Sequence, residues 1–203
     1  MPVKSDREYR ALATFNAIEE ADAFIVEGYA STFEPYVLLT VDDIDYKERI
    51  LPTAFNDADM SDVIMQYDHT GKVFARTSNN TLSVSPDEHG LKIRADLSST
   101  PASRDLYEEI KTGLITKMSF AFRVAKDHYE SDSHTRVIDS IAKVFDVSAV
   151  SIPANPATEI SISTRNYFDG VIEAERAERL ERERKERAKK LLQLKLKLME
   201  VEV

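Results

Sequence analysis

The 203-residue chain has no cysteine, no tryptophan and only five glycines. The lack of thiols excludes a cysteine nucleophile, a disulfide framework and a thiolate metal site, and it fits a reducing compartment. The glycines are too few and scattered for a phosphate-cradling loop, and none falls in Rossmann or P-loop spacing. Long apolar runs are missing, since no stretch approaches the ~20 residues that span a bilayer. The charged segment Met1 to Arg10 has no apolar core of the kind a secretory signal needs. A basic excess is missing too. The net charge is −9, and residues 171–203, with ten Lys/Arg against eight Asp/Glu, leave the remainder at −11. An acidic main body is a poor match for a nucleic-acid backbone, whose affinity comes from Lys and Arg. No nucleic acid, no membrane, no metal and no organic cofactor are expected.

The 42% hydrophobic fraction is enough for a packed core. The body reads mostly as strands. Phe24 to Ala30 is β-branched and aromatic, with Gly28 interrupting it as at a bulge. Thr81 to Ser85 and Leu91 to Leu97 flank a turn at Pro86 to Gly90, and Leu91, Ile93 and Ala95 alternate with Lys92, Arg94 and Asp96. One helix is well signed: Thr100 caps it, Pro101 suits its first position and Gly113 suits the residue past its end. A shorter helix is expected near Pro52 to Met60. After Gly113 a strand runs from Leu114 to Ala125, with Leu114, Met118, Phe120, Phe122 and Val124 on a core face and Ser119 on the other. A further strand spans Ile141 to Ile152, and Pro153 and Pro156 end it. From about Val171 the composition turns to Glu, Arg, Lys and Ala, which favours a helix. Leu180, Leu191, Leu194, Leu198 and Val201 form a partial heptad seam that Arg184 and Arg187 interrupt. Leu192, Leu194, Leu196 and Leu198 also alternate as in a strand.

Three segments carry chemistry: Tyr67-Asp68-His69, Thr116 to Phe122 around Ser119, and Phe145 to Pro156 around Asp146. They supply an imidazole, a hydroxyl on a strong strand and a carboxylate on another. A serine becomes a nucleophile only when a base takes its proton and a third group orients that base. The order His, Ser, Asp differs from that of chymotrypsin-like enzymes and of α/β-hydrolases, and no Gly-x-Ser-x-Gly elbow is present. Each residue alone has a plain alternative. Ser119 is one of many serines, and His69 sits in a turn-like Asp68-His69-Thr70-Gly71. Asp146 in an apolar strand must find a partner, which a loop hydrogen bond alone would satisfy. His128 and His134 fall in a hairpin without metal-ligand spacing, and His89 sits in a turn.

Further segments make the pattern specific: Glu27 to Ser31, Ile50 to Phe55, Asp68-His69, Gly90-Leu91, Gly113 to Phe120, and Asp146 to Val150 leading to Pro153-Ala154-Asn155-Pro156. In this order they resemble the prohead proteases of tailed bacteriophages, capsid maturation serine proteases related in fold to herpesvirus assemblins. The resemblance covers about residues 24–165. It implies Ser119 as nucleophile, His69 as general base and Asp146 as third member, where many relatives carry the longer Glu. Ala75 departs from an expected glycine. The implied fold is mainly β with peripheral helices (α+β), a herpesvirus-protease-like antiparallel β-barrel or half-barrel, followed by a charged C-terminal helix. The implied division is an N-terminal segment 1–23, a protease domain 24–165 and a tail 166–203. The implied function is endopeptidase cleavage of the scaffolding region of the major capsid protein, and of the protease itself, inside the procapsid in the host cytoplasm, with loss of the protease on maturation. Capsid protein, scaffold and self-association are the implied partners. An inactive assembly protein acting through its helical tail is the alternative, and an unrelated esterase a second.

Overall fold

Ten strands form one mixed sheet in the computed structural model, which describes residues 7–20, 23–151 and 162–201. They are β1 (Glu8–Glu20), β2 (Ala23–Thr32), β3 (Tyr36–Val41), β4 (Ile44–Ile50), β5 (Ile64–Tyr67), β6 (Thr70–Arg76), β7 (Leu82–Pro86), β8 (Gly90–Asp96), β9 (Lys117–Glu130) and β10 (Thr135–Val150). Two α-helices, α1 (Pro101–Lys111) and α2 (Ile162–Val201), complete the regular structure. Neighbouring strands run in the order β3-β4-β10-β9-β1-β2-β8-β7, with β5 pairing to β10 and β6 to β5. The fold is mainly β and of the α+β class.

Most strand pairings are antiparallel, and the two parallel ones both involve β10, which at 16 residues is long enough to take β4 along Thr135 to Ile138 and β5 along Asp146 to Ala149. The sheet does not close into the expected barrel, because among the described residues the path runs open from β3 to β7. No helix among the described residues is long and apolar enough to cross a membrane.

Local sequence accounts for much of this. In β8, Leu91, Ile93 and Ala95 are fully buried, while Lys92, Arg94 and Asp96 are half-buried. A Cβ at Gly90 would lie 2.0 Å from the Ser31 carbonyl oxygen, so only glycine lets β8 approach β2 there. The Thr100 hydroxyl accepts from Ser103 N at 3.1 Å at the start of α1, and Pro101 occupies its first turn. At its end Gly113 adopts φ +75°, Gly113 N donates to Ile110 O and Leu114 N to Glu109 O, the paired bonds of a Schellman motif. That motif carries Leu114 outward. The residue is 76% exposed and β9 starts only at Lys117, so Leu114 is not the core position expected of it. Met118, Phe120 and Phe122 are fully buried, each contributing about 1.5–3 kcal/mol of apolar burial. A 3₁₀ turn at Pro52–Phe55 replaces the helix expected near Pro52 to Met60. Ala75 is buried in the apolar core on β6, so its methyl has a packing role. Pro153 and Pro156 lie outside the described residues.

No element is expected before Phe24, yet β1 lies inside the sheet between β9 and β2. Its charges have buried partners. Arg10 donates to Glu48 (2.5 and 2.8 Å) and Glu8 (2.6 Å), and Arg136 donates to Glu8, Glu48 and Asp127. The Tyr36 hydroxyl also donates to Glu48. Burial alone would lower the pKa of Arg10, but Glu48 and Glu8 outweigh it and hold the guanidinium well above its ordinary value. The cluster ties β1, β3, β4, β9 and β10 together.

The chain divides into two compact units, Met1–Ser161 and Ile162–Val203. The second is the helix α2, with Lys185–Glu181 and Arg182–Glu178 pairs at i,i+4 and Leu180, Leu191, Leu192 and Leu194 more than half exposed. Its helical propensity prevails over the alternating leucines, which suggested a strand.

Candidate active site

A tight turn supplies the imidazole. β5 and β6 form a hairpin in which Tyr67 pairs with Thr70, leaving Asp68 and His69 as a two-residue connection. Both have positive φ, +46° and +56°, as a type I′ turn requires. A histidine in this conformation is uncommon, and here the turn is held from outside. Asp68 N donates to Ala149 O, and the Asp68 carboxylate accepts from Ser151 N (2.9 Å) and Ser151 Oγ (2.8 Å). The turn is thereby fastened to the end of β10.

The hydroxyl and carboxylate come from neighbouring strands. Ser119 on β9 lies directly opposite Ser148 on β10, and Ala121 opposite Asp146, so Ser119 and Asp146 share a face. Each strand flanking β9 is irregular beside this face. β1 sets Ala11 and Leu12 against the single Ser119, and β10 carries an extra residue between Val144 and Asp146. Such bulges re-aim the chain next to functional sites.

The structure brings the three sequence-predicted residues together. His69 Nε2 lies 2.7 Å from Ser119 Oγ, and His69 Nδ1 lies 2.6 Å from Asp146 Oδ1. Ser119 and Asp146 are each 2% exposed, whereas the His69 side chain is 17% exposed. The ring of Tyr9, on β1, meets that of His69 edge-on at 4.6 Å. An imidazole bridging a hydroxyl and a desolvated carboxylate can take the hydroxyl proton while the carboxylate fixes its tautomer. Sequence reasoning missed Tyr9, the Asp68–Ser151 fastening and the hydroxyl of Ser148, which donates to Asp146 Oδ1 at 2.8 Å. Ser148 had a signal, lying two residues from Asp146 on the same face. Tyr9 has none, because the charged residues around it, Glu8 and Arg10, mask the strand. Arg123 is exposed on β9. His128 approaches Asp139 and His134 approaches Tyr129, and no metal-holding group of acids and histidines occurs among the described residues.

Residues 13–170 match the model of the caudovirus prohead serine protease family. The chain belongs to that family. It is also similar to the prohead protease of Enterobacteria phage HK97, at 31% identity over 151 residues, which cover 72% of this chain and 62% of that protein. The chain thus spans less than two thirds of the length of this relative. No solved structure matches significantly. The family match takes in β1 from Ala13 onward and the first residues of α2.

Proposed function

We propose that this chain is a prohead serine endopeptidase in which Ser119 is the nucleophile, His69 the general base and Asp146 the orienting carboxylate. The observation that carries the reading is the continuous chain of contacts from Ser119 Oγ through His69 to Asp146 Oδ1, at 2.7 and 2.6 Å. As Ser119 Oγ attacks the scissile carbonyl carbon, His69 Nε2 takes the hydroxyl proton. It returns that proton to the departing amine, leaving an acyl-serine. His69 then draws a proton from water, which attacks the acyl carbon and frees Ser119. Asp146 stabilises the imidazolium in both halves.

Family membership supports the substrate: the scaffolding region of the major capsid protein, together with separate scaffold and the protease itself, cleaved inside the procapsid within the host cell. Residues 24–165 would act as the protease domain, with β1 contributing Tyr9 from the segment before it. The long, register-shifted β9–β10 pair suits a half-barrel like that of the herpesvirus enzymes. α2 would dock on scaffold helices and be removed by self-cleavage between Thr164 and Ala174, which requires local unwinding because those residues lie in the helix.

Co-expression of this chain, as wild type and as Ser119→Ala, with its cognate major capsid protein tests the reading by intact mass. Truncated capsid protein is expected with the wild type alone. Shells that assemble without truncation in either case would transfer the function to an inactive assembly role.

A further inference from the structure

Ser148 is fully buried and takes no part in the chemistry described above. Its hydroxyl donates to Asp146 Oδ1 at 2.8 Å, the same oxygen that meets His69 Nδ1 at 2.6 Å. We propose that Ser148 is a positioning residue, holding the Asp146 carboxylate in the orientation that presents Oδ1 to His69. The inference rests on the serine-nucleophile reading of the site.

An aspartate has a broad, two-fold terminal torsion, so its carboxylate plane is poorly fixed by its own covalent geometry. The contact with His69 holds Oδ1 at one point only, which leaves rotation about that contact free. A second donor on a rigid strand does. β10 carries a bulge between Val144 and Asp146, immediately before the carboxylate. Beyond it the pairing is regular, with Val147 opposite Phe120, Ser148 opposite Ser119 and Ala149 opposite Met118. Ser148 therefore ties the carboxylate to the part of β10 that is in strict register with the nucleophile. A bond to a buried ionised acceptor is among the stronger hydrogen bonds in a protein. The short aspartate side chain leaves little slack if that bond is lost.

A hydroxyl that merely satisfied itself would leave Ser119 reactivity indifferent to its removal. The test is the rate at which a fluorophosphonate probe labels the full-length chain, followed by intact mass in wild type, Ser148→Ala, Asp146→Ala and the double variant. Ser148→Ala is expected to slow labelling by about 10- to 100-fold. In the Asp146→Ala background the same change is expected to alter the rate by less than about twofold, because the two residues act as one unit. Equal slowing with and without Asp146, or labelling of Ser148→Ala at the wild-type rate, would overturn the proposal. Should Ser148→Ala fail to fold, Ser148→Cys, a somewhat larger and weaker donor, is compared with and without Asp146, and the slowing must again vanish without it. Slowing only where Asp146 is present supports the proposal, and the wild-type rate, or equal slowing without Asp146, overturns it. A wild-type chain that takes up no probe would overturn the serine-nucleophile reading itself, and this inference with it.

Discussion

Two hairpins of this sheet use the same turn for different ends. β3 and β4 are joined by Asp42-Asp43, with φ of +52° and +62°; β5 and β6 are joined by Asp68-His69, with +46° and +56°. Both hairpins attach to β10 through their parallel strand, β4 at its start and β5 at its end. The first turn is exposed at both residues. The second is fastened to Ser151 and the Ala149 carbonyl, and its histidine meets Ser119 and Asp146. A two-residue turn is thus a general device for reversing a strand, and what brings one of them against Ser119 and Asp146 is the surface on which it docks.

The two turns differ most at the imidazole. His69→Ala is expected to lower capsid-protein cleavage and fluorophosphonate labelling by about 10⁴-fold or more, as loss of a triad base does. Its thermal midpoint should stay near that of the wild type, and retained labelling would remove His69 from the chemistry. Next in size is the frame behind the other hairpin. Arg136→Met leaves Glu8 and Glu48 short of a buried partner and is expected to cost about 3–5 kcal/mol in denaturant unfolding. A loss below 1 kcal/mol would mean that water or another cation replaces Arg136 cheaply.

Glycine placed in each turn is expected to act in opposite directions. Asp68→Gly suits the positive φ but cuts the two bonds to Ser151, so labelling of Ser119 is expected to fall about tenfold. Asp43→Gly relieves the same backbone penalty and is expected to raise stability by about 0.5 kcal/mol with labelling unchanged. Equal activity in the two variants would show that the His turn needs no fastening. The smallest effect concerns acid. Arg76 hydrogen-bonds Asp62 at the base of the His hairpin and, with Ser78, holds that carboxyl below its ordinary value. Its contribution is present above the unfolded pKa of about 4 and lost as pH falls through the lower folded value. Asp62→Asn should therefore flatten the decline in stability below pH 4, measured by unfolding across that range.

Much of the fold was legible because its signals are local. Alternation gave β8, the Thr100–Pro101–Gly113 grammar gave α1, and the Glu/Lys/Arg-rich tail gave α2. β1 was not legible, because its Glu8 and Arg10 read as surface charge. Only Glu48 and Arg136, far along the chain, make their burial affordable. The start of β9 was misplaced because the Schellman turn at Gly113 projects Leu114 into solvent.

The sequence by itself determined the residue types of the site, their order and the family to which they belong, since those depend on side-chain chemistry and motif spacing. Tertiary structure decided that β10 would take two parallel neighbours, that β1 would bring Tyr9 to His69, and that bulges beside Ser119 and before Asp146 would accompany a hydroxyl and a carboxylate converging on one imidazole. These depend on strand register between distant segments, and register is set by which faces are buried together.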